Sequence, residues 1–111
     1  MPGFPIIWHS PAQRGIIDFK KLHIPRSLRK FRRQNPQFQV RLNSVFSEVI
    51  RACQSQPRPG QDGTWITDEL VRGYEKLFHD GYILCLEIWD QDQLVAGIYG
   101  VLTEKYFSGE S

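Results

Sequence analysis

Apolar and polar residues alternate through the last quarter of the chain, in two runs separated by a short polar stretch. Residues 84–89 are mainly leucine, isoleucine and tryptophan, residues 90–93 are Asp-Gln-Asp-Gln, and residues 94–101 are again mostly apolar. An alternating pattern bounded by turn-forming residues is typical of a β-hairpin. We therefore predict two antiparallel strands joined by a tight turn, followed by a short third strand over residues 106–108.

Two glycines, Gly97 and Gly100, lie inside the second predicted strand. Glycine weakens strand pairing, so its presence there indicates a bulge, tight packing, or the close approach of another backbone or a ligand. A bulge or tight packing is the commoner cause, and we expect it here.

The three predicted strands leave one apolar face and one unpaired edge that no later helix of this sequence would cover. The sequence stops soon after the third strand, at Gly109-Glu110-Ser111. From this arrangement we expect the chain to be the front part of a longer protein.

A first helix is predicted near the start of the chain, over residues 25–34. Pro25 suits the first helical position, where its missing N–H costs nothing, and the pair Asn35-Pro36 would end the helix. Its two apolar residues, Leu28 and Phe31, are predicted to anchor it to the rest of the protein.

A strand and a second helix are predicted next. Residues 38–42 alternate in polarity, which predicts the strand, and Ser44 is a candidate N-cap for the helix. A loop with two prolines and two glycines is predicted over residues 54–63. The second helix is predicted from apolar residues that recur with helical spacing, namely Val45, Phe46, Val49, Ile50 and Cys53.

A third helix begins at the candidate N-cap Thr67. Asp68 and Glu69 in its first turn meet the positive end of the helix dipole, and Gly81 suits the position after its last turn. The order helix, strand, helix, helix and antiparallel strands predicts an α+β, or mixed α/β, fold. The predicted apolar face of this third helix comprises Leu70, Tyr74, Leu77 and Phe78.

Positive charge is concentrated at the start of the chain. Nine of the fourteen Lys and Arg residues lie within residues 1–41, where Asp18 is the one acid, although the net charge of the whole chain is only +2. Five of these cations lie on the first predicted helix, with almost no local acid to neutralise them. Such a cluster favours phosphate binding over a merely solvated surface. The five are Arg26, Arg29, Lys30, Arg32 and Arg33.

Most known catalytic patterns are absent from the sequence. It contains no nucleotide-binding glycine motif, no zinc-protease motif and no serine-hydrolase motif. Cys53 and Cys85 have no metal-site spacing and form no disulfide framework, so we expect a reducing cytoplasm. Glu110 is either an active-site carboxylate or a surface acid, and Trp65 either lines a site or anchors the third helix. The residues alone favour the surface acid and the anchor.

Six stretches, in one order along nearly the whole chain, together resemble the leucyl/phenylalanyl-tRNA–protein transferases. They are Trp8-His9-Ser10-Pro11 followed by Arg14, residues 22–30, Thr64-Trp65-Ile66-Thr67, Glu87-Ile88-Trp89, residues 94–101, and Phe107-Ser108-Gly109-Glu110-Ser111. No single short motif carries this resemblance.

The resemblance implies an aminoacyltransferase that moves Leu, Phe or Met from aminoacyl-tRNA to the N-terminal Arg or Lys of a protein, which marks that protein for degradation in the N-degron pathway. Aminoacyl-tRNA would be a co-substrate, with no further cofactor and no metal. The five cations of the first helix would bind tRNA. Trp65, Ile98 and Phe107 would line the aminoacyl pocket, and Glu110 would be the catalytic residue.

The resemblance also implies a division of the chain. Residues 1–43 would form a small, basic α/β part that binds tRNA, and residues 44–111 an incomplete domain of the GNAT acyltransferase type, ending at its active-site strand. A helix and an Asp-x-Gln element that the family places after Gly-Glu-Ser are absent from these 111 residues. We therefore expect the chain alone to be inactive and to self-associate through its open sheet.

Two alternatives remain open at this point. One is a catalytically inactive, truncated module that binds tRNA or another RNA through the basic helix. The other is an unrelated, acyltransferase-like interaction domain. The basic helix does not separate an enzyme from an RNA-binding module. The missing Asp-x-Gln element does, and it favours an inactive chain when these residues stand alone.

Overall fold

A computed structural model describes residues 15–56 and 65–111. The first stretch of the resemblance (8–14), Thr64 and residues 57–63 of the predicted loop lie outside the described residues. The order of the elements confirms the predicted α+β layout. The elements are a 3₁₀ turn (Phe19–Lys21), α1 (Arg26–Gln34), β1 (Phe38–Leu42), α2 (Phe46–Ser55), α3 (Asp68–His79), β2 (Ile83–Asp90), β3 (Gln93–Leu102) and β4 (Phe107–Gly109).

The four strands form one antiparallel sheet in the order β1-β2-β3-β4. The sequence predicted β1 as a strand but not its place in the sheet. The structure pairs β1 with β2, so that Val40 lies opposite Ile88. The proposed boundary at residue 43 therefore falls between β1 and α2, with β1 in the same sheet as the later strands. The domain division itself stays a prediction.

The core lies between one face of the sheet and the helices α2 and α3. From β2 the alternate residues Ile83, Cys85 and Glu87 are buried on this face, whereas the leucines and isoleucine between them are only half-buried on the other. The period-two pattern therefore predicted the strand, but its most apolar positions lie away from the core. The buried apolar residues are Phe46, Val49, Ile50, Ile66, Val71, Ile83, Cys85 and Tyr99.

The opposite face of the sheet is apolar, and no helix of the described residues covers it. We call it the open face. Val40 is 63% exposed there and Ile98 50%. The expectation of an uncovered apolar face is confirmed for the described part of the chain. Its apolar residues are Val40, Leu42, Leu84, Leu86, Ile88, Ile98, Leu102 and Phe107.

Tight packing explains both strand glycines, as predicted. A Cβ on Gly97 would lie 2.8 Å from a methyl group of Val49 in α2. A Cβ on Gly100 would lie 2.2 Å from the carbonyl oxygen of Ser108 and 2.5 Å from the ring of Phe107. Real Cβ atoms do not approach other atoms so closely, so both positions exclude a side chain.

The junction between β1 and α2 is built around the buried carboxylate of Glu87. It accepts hydrogen bonds from the backbone N–H groups of Ser44 and Val45, both at 3.0 Å, from the Ser44 hydroxyl, and from Trp89 Nε1 at 3.3 Å. The prediction of Ser44 as N-cap is therefore wrong: Val45 occupies the cap position, and the carboxylate of Glu87, on a distant strand, accepts from the N–H groups of Ser44 and Val45.

The surroundings of Glu87 set its charge. Its desolvation alone would raise its pKa, but the hydrogen bonds from Ser44, Val45 and Trp89 outweigh burial and lower the pKa. The carboxylate is therefore ionised at neutral pH and lies at the positive end of α2.

Most of the predicted boundaries of the two core helices, α2 and α3, are confirmed. Thr67 accepts a hydrogen bond from Leu70 N at 3.2 Å, and Gly81 has the positive φ of a residue that follows a helix. The loop predicted from residue 54 begins later, because α2 continues to Ser55. In α3 the fully buried residue is Val71, which the predicted apolar face omitted, and Leu77 is instead 37% exposed.

Candidate functional site

Glu110 lies immediately after β4, with its carboxylate held beside α3. The hydroxyl of Tyr74 donates a hydrogen bond to Glu110 Oε1 at 3.0 Å, and the Ser108 hydroxyl lies 3.5 Å from Oε2. Glu110 is half-buried. The Glu110 carboxylate therefore has a defined position at the margin of the core, and its catalytic role stays a prediction.

The backbone of Tyr99 in β3 fixes the main chain at Glu110. Glu110 N donates to Tyr99 O at 2.9 Å, and Tyr99 N donates to Ser111 O at 2.8 Å. These bonds extend the pairing of β3 with β4 beyond the end of β4. Glu110 is thus held by its backbone from one element and by its side chain from another.

An array of aromatic rings connects this carboxylate to the core. The ring of Tyr74 meets the buried ring of Tyr99 edge-on, with centroids 5.3 Å apart, and Tyr99 meets Phe46 in the same way at 5.4 Å. On its outer side, Tyr74 meets Trp65 edge-on at 6.4 Å. Edge-to-face contacts between aromatic rings are favourable and directional, so the Tyr74 hydroxyl points along a fixed line.

The structure does not bring the three predicted pocket residues together on one face of the sheet. Trp65, 44% exposed, lies beside Tyr74 at the start of α3, which is the anchoring position expected from its sequence. Ile98 and Phe107 lie on the open face, where the ring of Phe107 covers Gly100. Trp65 therefore approaches the Glu110 side, while Ile98 and Phe107 lie on the other side of the sheet. Their role in an aminoacyl pocket stays a prediction.

The basic helix α1 lies apart from the core and buries none of its residues. The predicted anchor Leu28 is 56% exposed, and Phe31 stacks on Phe38 across the turn that leads into β1. Pro25 occupies the N-cap position, so α1 begins one residue later than predicted, at Arg26. Neither apolar residue of α1 is therefore a core anchor.

The cations of α1 are free to meet a ligand. Among the described residues the one salt bridge is Arg51–Asp68, so no cation of α1 is paired with an acid there. Arg26, Arg29 and Arg33 line one shallow groove of about 570 Å³ together with His23 and Ile24. Three guanidinium groups along one groove form a surface suited to a run of phosphates.

The described residues offer little for other chemistry. Within 15–56 and 65–111, no three His, Cys, Asp or Glu side chains lie close enough to hold a metal ion. Burial, and after it the neighbouring Glu87, raises the pKa of the Cys85 thiol to about 12, so it is not a nucleophile at neutral pH. Among the helices of the described segments, none has the length and apolar character needed to cross a bilayer.

The resemblance assigned a role to Glu110, but nothing in the sequence connected Tyr74 with it. Tyr74 falls on the apolar stripe of α3 and is separated from Glu110 by 36 positions, so periodicity assigned it to packing. The one available signal was its residue type, since a tyrosine at the margin of a buried face normally directs its hydroxyl to a polar partner.

Comparison with known proteins adds a match over most of the chain. The family model described as "Leucyl/phenylalanyl-tRNA protein transferase" matches residues 16–111. Two proteins named leucyl/phenylalanyl-tRNA–protein transferase are similar to the chain over 109 residues. The one from Flavobacterium psychrophilum is 46% identical to the chain and the one from Myxococcus xanthus 43%. One from Nitratidesulfovibrio vulgaris is 42% identical over 110 residues.

These matches include nearly all of the chain but only part of each relative. They cover 98–99% of the chain, and 46%, 51% and 47% of the relatives from M. xanthus, F. psychrophilum and N. vulgaris. The chain therefore spans about half the length of the curated relatives it matches.

Proposed function

Because the chain belongs to the leucyl/phenylalanyl-tRNA protein transferase family, we propose that it is part of an aminoacyltransferase that moves Leu, Phe or Met from aminoacyl-tRNA to the N-terminal Arg or Lys of a protein. The observation that carries this proposal is the family match over residues 16–111. The unpaired cations of α1 and the fixed carboxylate of Glu110 supply, respectively, a surface for tRNA and a group for the reacting end.

In this proposal α1 binds the tRNA backbone. Guanidinium groups bind phosphate oxygens in pairs, and the groove lined by Arg26, Arg29 and Arg33 presents three of them, none paired with an acid of the described segments. Contacts of this kind determine affinity and register but not sequence preference. Selection of the tRNA would then depend on its charged end.

The contribution of α1 to tRNA binding is expected to appear as a change in how steeply the affinity for tRNA falls with salt concentration. Replacing Arg29 and Arg33 with alanine removes two phosphate contacts, so the slope of log affinity against log salt becomes less steep by about 1.4–1.8. Unrelated RNAs should lose affinity to the same extent, because phosphate contacts are not sequence-specific. Fluorescence anisotropy between about 50 and 200 mM salt measures both effects.

A matched control for this pair is Arg72→Ala with Lys76→Ala, which removes two exposed cations from α3. The control should leave the slope as it is in the wild type. An unchanged slope in the α1 variant would show that tRNA binds elsewhere. A changed slope supports tRNA binding but does not separate an enzyme from an inactive RNA-binding module. Such a module is the second candidate function, because α1, which would bind the RNA, is separate from Glu110 in the sequence.

In the reaction, Glu110 is proposed to contact an amino group. The N-terminal amine of the acceptor protein attacks the carbonyl carbon of the aminoacyl ester, so that a C–N bond forms and the C–O bond to the tRNA ribose breaks. One proton of the amine is transferred to the released ribose oxygen. A carboxylate held close to the amine accepts hydrogen bonds from it and orients its lone pair towards the carbonyl.

The remaining details of the proposal are those that the resemblance to the family implies. Trp65, Ile98 and Phe107 supply apolar surface for the aminoacyl side chain, in a domain of the GNAT acyltransferase type completed by further chain. No cofactor is needed, because the ester of aminoacyl-tRNA is already activated. The product is a protein marked for degradation through its new N-terminus, in the cytoplasm, where charged tRNA is found. The apolar open face supports self-association whenever further chain does not cover it.

A further inference from the structure

Tyr74 has a place beside the reacting centre that neither its sequence position nor the family match assigns. Its ring lies in the aromatic array between Trp65 and Tyr99, and its hydroxyl is directed out of that array at Glu110 Oε1. A phenylalanine would make the same ring contacts. The hydroxyl is therefore the part of this residue that packing does not explain.

We propose that Tyr74 is the positioning residue for Glu110: its hydroxyl holds one carboxylate oxygen, so that the other faces the amino group of a substrate. This inference rests on the proposed function, because it takes Glu110 as the group that contacts the amine. The shared chemistry is that of a primary amine, which both the aminoacyl ester and the acceptor protein carry.

The contacts around Glu110 hold its carboxylate in one orientation. A carboxylate at the end of a strand has free rotation about its side-chain bonds unless a partner fixes it, and each fixed rotamer-rich side chain carries an entropic cost at binding. Here the backbone of Glu110 is bonded to Tyr99, and Oε1 is bonded to Tyr74. With Oε1 engaged, Oε2 keeps capacity for a further donor, because within residues 15–56 and 65–111 its one hydrogen-bond partner is the Ser108 hydroxyl at 3.5 Å.

The protonation of Tyr74 matches the role of a permanent donor. Burial, and then the adjacent charge of Glu110, raise the pKa of the Tyr74 hydroxyl above its ordinary value. The hydroxyl therefore keeps its proton throughout the pH range in which aminoacyl esters survive. It donates to the carboxylate and does not act as a base.

Binding of amine-bearing probes to the 111-residue chain tests this inference. One probe is phenylalanine joined by an amide to the 3′ position of adenosine, which mimics the charged end of tRNA without hydrolysing. The other is a short peptide that begins with Arg. Affinity is measured for the wild type, Tyr74→Phe, Glu110→Gln and the double variant, together with the melting temperature of each.

For the probe that binds, Tyr74→Phe is expected to weaken affinity about tenfold, the scale of a hydrogen bond to a charged group. Glu110→Gln is expected to weaken it at least as much, and the double variant no further than Glu110→Gln alone. This non-additivity is the signature of one residue acting through the other. Tyr106→Phe, which removes a hydroxyl from an exposed tyrosine, serves as the matched control and should bind as the wild type does.

The outcomes separate the inference from the function beneath it. If Glu110→Gln weakens binding while Tyr74→Phe does not, or if the two losses simply add, the positioning role is overturned and the function stands. If the wild type binds neither probe, the contact of Glu110 with an amine is overturned and the positioning role with it, whereas the aminoacyl transfer itself is tested separately. Should Tyr74→Phe unfold the chain, Glu110→Asp serves instead: it keeps the charge but withdraws the carboxylate from Tyr74, and wild-type affinity in that variant would also overturn the proposal.

Discussion

Replacement of Gly100 by alanine is expected to separate β4 from β3 and to lower the free energy of unfolding by about 3 kcal/mol. The added Cβ would lie 2.2 Å from the backbone oxygen of Ser108 and 2.5 Å from the ring of Phe107. Because the closest of these atoms belongs to the backbone of the neighbouring strand, no change of rotamer relieves the clash. The strand must move, and Glu110 at its end moves with it.

Urea denaturation measures the loss of stability, and hydrogen exchange at the Glu110 amide, which donates to Tyr99, reports the separation of the strands. Two other glycines provide a graded control. Gly97→Ala meets only the side chain of Val49 and should cost less, whereas Gly73→Ala on the exposed side of α3 meets nothing within 4 Å. Gly73→Ala should stabilise by roughly 0.5–1 kcal/mol, since alanine favours the helix. Equal stabilities of the Gly100 variant and the wild type would contradict the close contact.

Replacement of Glu87 by glutamine is expected to lower the free energy of unfolding at neutral pH by about 2–4 kcal/mol. The N–H groups of Ser44 and Val45 donate to Glu87 Oε2, whereas the Ser44 hydroxyl and Trp89 Nε1 donate to Oε1. Glutamine keeps one acceptor oxygen, so its NH₂ group would face the donors on one of these two sides. At least one buried donor would then lack a partner, and the charge that stabilises the start of α2 would be lost.

The cost of Glu87→Gln should depend on pH in a direction that the pKa of Glu87 sets. Because the folded pKa is lowered, the carboxylate contributes its full stability above the ordinary glutamate value of about 4.3, and that contribution is lost as pH falls through the folded pKa. The difference between wild type and variant should therefore be largest near pH 7 and shrink below about pH 4. Glu104→Gln, at an exposed site, is the matched control. A difference that persists unchanged in acid would exclude an ionised Glu87.

Local pattern was enough to predict the elements of this fold. The stripe Val49–Ile50, the cap at Thr67 and the hairpin around residues 90–93 all depend on residues close in sequence, and each is present in the structure. The predictions that failed concern which partner a residue finds. Ser44 was assigned to cap its own helix because a serine before an apolar stripe usually does so, but Glu87, 43 positions away, provides the acceptor.

The candidate site shows the same limit. The basic face of α1 could be predicted from spacing alone, since helical periodicity fixes which cations share a face. The setting of Glu110 could not, because it depends on Tyr74 and Tyr99 approaching from other elements. The residues that hold a functional group in position are determined by tertiary contacts, whereas the functional group itself is identified by its chemistry and family pattern.

The central claim, that this chain supplies the tRNA-binding and carboxylate-bearing half of an aminoacyltransferase, can be tested in a chimera. The chain replaces the 109 matched residues of the F. psychrophilum relative, to which it is 46% identical. The unaltered relative is the positive control, and the chimera with Glu110→Gln tests the carboxylate. The 111-residue chain alone is expected to transfer nothing, because about half the length of its relatives is absent from that assay.

The decisive measurement is the transfer of labelled Phe from charged tRNA to a peptide that begins with Arg, compared with the same peptide beginning with Glu. The chimera is expected to transfer Phe to the Arg peptide but not to the Glu peptide. Glu110→Gln is expected to lower the rate about a hundredfold, the scale at which a reacting amine loses its orientation. A folded chimera that binds charged tRNA but transfers no Phe, beside an active relative, would contradict the claim and leave the chain as an RNA-binding module.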